Sequence, residues 1–323
     1  MQTLDTPTEP REIKTYYTKV DRVFRGFVAS CALFSLVVLI MIAAFLLYRG
    51  FEIFADFGFS FITTSKWDIG NPEDPTTAVL GIGAMLVGSV VTAIIAILVA
   101  IPFAIASALF IEFYAPRFLR TILTSVLDLV AAIPSVIFGI WGYVVLLPLV
   151  EDWSGTLYKY LNWFPIFDVQ TPIFGRSPLL AGLLLAIMIL PIVTSVAREV
   201  YGQAPRDLID ASYALGGTKW AGIRTVVLPF GKSGLVGGAM LGLGRAMGET
   251  VAVYLTLNLV FDTNFQILAS AGGNVASLIA NKFGEATPYE LKALMAAGLV
   301  LFLVTLMVNF FATVIVNRSR KIV

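Results

Sequence analysis

Long apolar runs separated by short polar connectors dominate the chain, and the length of those runs, rather than any alternation of period two, sets the secondary structure. The runs cover residues 27–48, 78–111, 122–149, 179–197, 233–260 and 291–316, and each meets the roughly 18 residues that a membrane-crossing helix needs. The first is too long for a signal-peptide core. Bulky and charged residues at 49–56 follow it in place of a small-residue cleavage site, so it reads as a permanent span. The run at 78–111 exceeds one straight crossing and contains Pro102, which predicts one long, bent helix. Pro134, Gly139 and Gly142 interrupt the run at 122–149, which is expected to be broken or partly unwound. The plan is a tail at 1–26 whose first ten residues read as disordered, a first transmembrane helix at 27–48 and an outer loop at 49–77. A five-helix core follows at 78–316, holding a long polar segment at 198–232, and a tail at 317–323 closes the chain.

Composition narrows the class. The chain is 58% hydrophobic and 13% charged, against about 25% charged in soluble domains, and its mean hydropathy is +0.87. It reads as an all-α polytopic membrane protein with six transmembrane helices. A net charge of +1 gives no reason to expect a nucleic-acid partner, and lipid is the expected surround. One cysteine, Cys31, cannot form an internal disulfide. The absence of histidine removes His-based metal sites, Ser–His or Cys–His nucleophiles and imidazole relays. About 15 of the 22 basic residues fall in the N-terminal flank, the connector at 112–120, the segment at 198–232 and the C-terminal tail. Basic residues are retained inside, so both termini are expected in the cytoplasm, with outer loops at 50–77, 151–178 and 261–290. Trp153, Tyr158, Tyr160 and Trp163 suit an outer aromatic belt.

Two motifs dissolve on inspection. Gly231-Lys232-Ser233 resembles the end of a phosphate-cradling loop, but Val226 stands where that loop needs glycine. The Gly-x-Ser-Gly at 231–234 resembles an intramembrane protease nucleophile, yet no histidine exists to activate Ser233. The segment at 198–232 carries more. Pro205 suits a helix start, Leu208, Ala211, Ser212 and Leu215 share a face, and Gly216-Gly217 supplies a stop. A second short helix is expected after Thr218, running through Trp220 and Ile223 until Pro229 breaks it. Periodicity alone makes this pair an interfacial anchor as readily as a docking device.

Within the fifth run, Arg245 lies roughly 20 Å beyond Lys232, near the membrane midplane, where insertion costs about 2.5 to 3.5 kcal/mol. On a continuous helix, Gly234, Gly238, Gly242, Arg245, Glu249 and Thr256 fall within roughly an 80° stripe. The glycines admit a neighbouring helix closely, and Arg245 and Glu249 sit one turn apart, either as a packing ion pair or on a substrate path. Thr121, Thr124, Asp128 and Ser135 form a similar stripe in the third run, provided that Pro134 turns the helix little.

Asp210-Ala211-Ser212, Gly216, Val226, Leu228 and Pro229 resemble the EAA loop of ABC-importer permeases: Glu-Ala-Ala, three residues, Gly, nine residues, Ile-x-Leu-Pro. The spacing matches throughout, with Asp for Glu, Ser for the second Ala and Val for Ile. Ala131-Ala132-Ile133-Pro134-Ser135 and the run from Gly242 to Thr250 are similar to the phosphate-specific branch of that family, and nearer to its C-type than its A-type membrane subunit. The resemblance implies the MetI-like fold of type I importers. It implies a coupling helix, with Asp210, Ala211, Ser212, Gly216, Leu228 and Pro229, docking on a separate ABC ATPase dimer that holds ATP and Mg²⁺. It implies no enzyme activity and no cofactor or metal in this chain. The implied partners are a second related permease and an extracytoplasmic phosphate-binding protein. A phosphate path would then include Arg245, whose guanidinium offers a bidentate fork, with Ser135, Glu249 and Asp128. Either carboxylate could accept the proton that phosphate carries and sulfate lacks. A permease for another oxyanion, a proton-coupled carrier using Asp128 and Glu249, and a non-transporting scaffold stay open; the EAA-like segment argues against the last two.

Overall fold

The computed structural model describes residues 18–70 and 77–320, with side chains up to 314. The expected tail up to residue 17, with Arg11 and Lys14, residues 71–76 of the first outer loop, and Lys321 lie outside the described residues, as do the side chains of Arg318 and Arg320. Among the described residues, six helical stretches are long and apolar enough to cross a membrane: Lys19–Phe57, Gly83–Tyr114, Ser135–Leu161, Pro178–Gly202, Lys219–Gly248 and Pro288–Val314.

The chain divides into two units, residues 1–45 and 46–323. The described part of the first is one stretch of helix α1 (Lys19–Phe57), which begins before and ends after the expected 27–48. Thr18 and Asp21 start it reciprocally: the Asp21 amide donates to Thr18 Oγ1 at 3.2 Å, and the Thr18 amide donates to the Asp21 carboxylate at 3.0 Å.

In the second unit α1 ends against α13 (Pro288–Arg320), where Gly50 lets the backbones meet. A Cβ at Gly50 would stand 2.9 Å from the Ala296 backbone. The first outer loop carries a short helix α2 (Ser60–Thr63) and a strand β1 (Trp67–Asp68), which pairs antiparallel with β2 (Val79–Leu80). Trp67 stacks on Phe261 and donates its indole N–H to buried Glu290 at 2.7 Å, while Lys292 pairs with Glu52. Asp68, exposed on the hairpin, accepts the Gly70 amide and faces Lys66, and both hold its carboxyl below the ordinary value.

α3 (Gly83–Leu109) passes through Pro102 without a break and ends in a π-turn at Phe110–Tyr114. It packs along α7 (Pro178–Gly202) through buried Ala93, Ala96, Ala100, Ala104 and Ala108, whose single methyls permit close backbone approach. Ser177 caps α7 and Pro178 occupies its first turn, as the missing proline N–H allows.

The third run divides. α4 (Arg117–Ala132) stops at Ile133-Pro134, both extended, and a second helix begins at α5 (Ser135–Trp141), widens into a π-turn at Gly142–Leu146 and continues as α6 (Leu147–Leu161). The crossing therefore lies later in the chain than the expected 122–149, at Ser135–Leu161. Glu151, Trp153, Tyr158 and Tyr160, expected in an outer loop, stand on α6.

The helix pair at 198–232 forms only in part as expected. α8 (Arg206–Ala214) follows Pro205, and Thr218 caps α9 (Lys219–Gly222), its hydroxyl accepting the Ala221 amide at 3.3 Å. Pro229 does not break the second helix. A π-turn at Ile223–Val227 joins α9 to α10 (Leu228–Gly248), and Pro229 enters in the first turn after it, where the ladder is already irregular. α11 (Val251–Thr256) and α12 (Val275–Lys282) lie between α10 and α13.

Candidate functional site

α10 carries two kinds of glycine. Gly231, Gly234, Gly238 and Gly242 face α7 of the same chain, against Tyr201, Val200, Val196 and Val193. A Cβ would come within 3.1 Å of Val196 at Gly238 and 3.0 Å of Val193 at Gly242. Gly237 and Gly248 border open space, and between them Leu241 and Arg245 are exposed. The glycine stripe and Arg245 thus point to different surroundings: one closes on α7, the other faces outward from the monomer.

The expected continuous helix ends before Glu249. Glu249 is extended (φ −71°, ψ 129°), so Arg245 and Glu249 are no longer neighbours on one ladder. They form no ion pair; the ion pairs among the described residues are Lys66–Asp68, Arg120–Glu112 and Lys292–Glu52. Glu249 is 8% exposed. Its carbonyl, released from the helix, accepts Asn274 Nδ2 at 2.8 Å. The same asparagine caps α12, its Oδ1 accepting the Ser277 amide at 2.7 Å. One side chain therefore holds both the break and the next helix start.

α11 resumes beside α5. Gly139 lies against Ala252 and Leu255, and Gly142 against Leu184 and Thr256. That parallel register brings half-buried Ser135 to the level of Gly248 and Glu249. Asp128 is separated from this group: it is exposed on α4, before the Ile133-Pro134 break. Thr124 of the same helix accepts Arg198 Nη1 at 2.8 Å and donates to the Arg120 carbonyl at 2.8 Å. Arg120 in turn meets Glu112 at 2.5 Å, so α4 is tied to the π-turn after α3 as well as to α7. Arg198 and Glu112 had no motif to mark them; only their position at helix ends was visible.

In the segment at 198–232, Asp210 and Ala211 are exposed, and Ser212 donates to the Ile209 carbonyl at 2.8 Å. Gly216 adopts φ +84°, and the Gly216 and Gly217 amides close the end of α8 onto Tyr213 and Ser212 at 2.9 Å each. Leu228 is half-buried and Pro229 exposed. In the same segment the apolar side chains of Leu208, Trp220 and Leu215 are exposed, the last at 90%. Among the described residues no group of three or more His, Cys, Asp or Glu stands together to hold a metal.

Residues 100–321 match the family model of the binding-protein-dependent transport system inner membrane component. The chain is 37% identical over 307 residues to the phosphate transport system permease protein PstC of Xylella fastidiosa, covering 94% of this chain and 93% of that one. It is 34% identical, with the same coverage, to PstC of Pasteurella multocida. It is 37% identical to PstC 2 of Mycobacterium tuberculosis over 91% of both chains. Among solved structures it resembles a chain of the MetNI methionine ABC transporter in an inward-facing conformation, at 19% identity and TM-score 0.49, covering 74% of this chain and 94% of that one. The chain belongs to the family of binding-protein-dependent transport system inner membrane components, multi-pass permeases that work with other ABC subunits.

Proposed function

We propose that this chain is one of two permeases forming the membrane path of an ATP-driven importer of inorganic phosphate. The substrate is inferred from similarity to phosphate transport permeases over more than nine-tenths of the chain, and the observation that carries the mechanism is Arg245 exposed on a membrane-crossing helix without an ion-pair partner among the described residues. A cation there costs about 2.5 to 3.5 kcal/mol against lipid and is stabilised by a passing anion. Phosphate delivered by an extracytoplasmic binding protein moves between the open face of α10 and the second, related permease. Arg245 offers its planar fork, Ser135 a hydroxyl, and buried Glu249 an acceptor for the proton that phosphate retains. Asp128 stands nearer the cytoplasmic end of the same route.

The ATPase dimer, with ATP and Mg²⁺, binds the tip built by Leu208, Asp210, Ala211, Ser212, Leu215 and Trp220. Both termini lie in the cytoplasm, the side to which the bias of basic loop residues assigns them. Native mass spectrometry of the assembly, paired with uptake by vesicles containing it, tests this reading. The expected result is one copy of this chain, one different permease and two ATPase subunits, with ATP-dependent uptake of phosphate and not sulfate. A functional lone monomer, or sulfate carried in preference to phosphate, contradicts it.

A further inference from the structure

Arg176 precedes α7 and lies outside every role assigned above. Its guanidinium sits over the Tyr143 ring, 4.7 Å from the centroid, and it belongs to none of the ion pairs among the described residues. Arg176 is half-buried, so this is not a side chain extended freely into solvent. The glycine before it brings other polar groups close: a Cβ on Gly175 would meet Ser270 Oγ at 3.3 Å and Glu151 Oε1 at 3.7 Å. Asn258 Nδ2 donates to Ser270 Oγ at 3.1 Å and to the Ser270 carbonyl at 3.3 Å, fixing that hydroxyl. The first amides of α7 are already occupied by Ile267 and Ser177, so the guanidinium, not the helix end, is the free donor here.

The location follows from packing. Gly139 touches Ala252 and Gly142 touches Thr256, so Tyr143 stands at the Thr256 end of the seam between α5 and α11, about one turn beyond the Gly139 contact. Arg245 lies inward of Ala252 by seven residues, which puts the two arginines at levels roughly 15 Å apart. Stepwise passage of an ion needs sites that bind well enough to receive it and weakly enough to release it. An arginine held by an aromatic face keeps its N–H edge available, whereas one locked to a carboxylate does not.

We propose that Arg176, stacked on Tyr143 and grouped with Ser270 and Glu151, is an outer oxyanion station that receives hydrogen phosphate before it reaches Arg245. Arg176 supplies charge and paired donors. Glu151 accepts a hydrogen bond only from an anion that still carries a proton. This rests on the phosphate-importer reading, and the test separates the two.

The experiment uses the whole importer in vesicles, with Cys31→Ser as parent and Arg176→Cys added, supplied with phosphate-loaded binding protein. Uptake is expected to fall at least about tenfold, the loss of a charge-assisted contact. Aminoethyl methanethiosulfonate, which restores a positive charge at residue 176, should return most of it, while the neutral methyl reagent should not. Arg176→Lys should retain more uptake than Arg176→Cys with equal assembly. Unchanged uptake in Arg176→Cys, or equal rescue by the charged and neutral reagents, overturns the station. If the parent importer itself carries another oxyanion and no phosphate, the phosphate reading falls and the station's named cargo with it.

Discussion

At the residue scale, neighbouring glycines of α10 do different things that composition does not distinguish. Gly238 is buried against Val196, whereas Gly237, one residue earlier, has open space where a side chain would go. Gly238→Leu should therefore overpack the α7 contact and destabilise the purified chain by about 1 to 3 kcal/mol. Gly237→Ala should leave it unchanged or stabilise it by roughly 0.5 to 1 kcal/mol, since alanine loses less backbone freedom. Thermal melting in detergent reads both; equal melting temperatures for the two variants would remove the distinction. The sequence marked Gly234, Gly238 and Gly242 as packing positions, but not the helix they pack on. That identity depends on α7 returning antiparallel beside α10, a tertiary fact without local signature. Arg245 was legible because an intramembrane charge is rare. Its separation from Glu249 was not, because helical spacing puts them one turn apart until something outside the helix captures the Glu249 carbonyl.

At the element scale, that capture belongs to Asn274. Asn274→Asp retains the acceptor that caps α12 but loses the amide that holds Glu249. Asn274→Ala loses both, and the missing cap alone costs about 0.5 to 2 kcal/mol. The aspartate variant should fold and assemble yet transport slowly, while the alanine variant should also melt earlier; identical behaviour of the two would mean that the link to Glu249 has no separate role. The segment at 198–232 allows a similar comparison. Gly216 holds φ +84° with no neighbour within 4 Å of a Cβ, so the constraint there is backbone conformation, not space. Gly216→Val should cost about 1 to 2 kcal/mol locally and disrupt the tip, whereas Gly216→Asn tolerates that region better. Uptake should disappear in the first and persist in part in the second, with docking of the proposed external binding protein unchanged in both. Full uptake by a stably expressed Gly216→Val would remove the coupling role. Helix starts in this segment were legible from Pro205 and Thr218. The continuation past Pro229 was not, since a π-turn that absorbs a proline has no composition of its own.

At the scale of the whole molecule, the six spans could be counted from apolar run length, because the cost of exposing backbone in lipid leaves few alternatives. The route through them could not. It depends on where the third crossing begins, at Ser135 after Ile133-Pro134, and where the fifth stops, at Gly248 before the extended Glu249. In the proposed path, Arg245 is the residue that meets the anion. Because no ion pair joins it to Glu249, its removal strands no buried partner, and the penalty of about 3 to 5 kcal/mol for breaking a buried pair does not apply. The most direct measurement is ATP-dependent phosphate uptake by the reconstituted assembly carrying Arg245→Gln, with subunit composition and melting temperature recorded on the same preparation. The expected result is an intact assembly of normal stability whose uptake is lost. Uptake near the level of the unaltered assembly would contradict the assignment of Arg245 to the phosphate path.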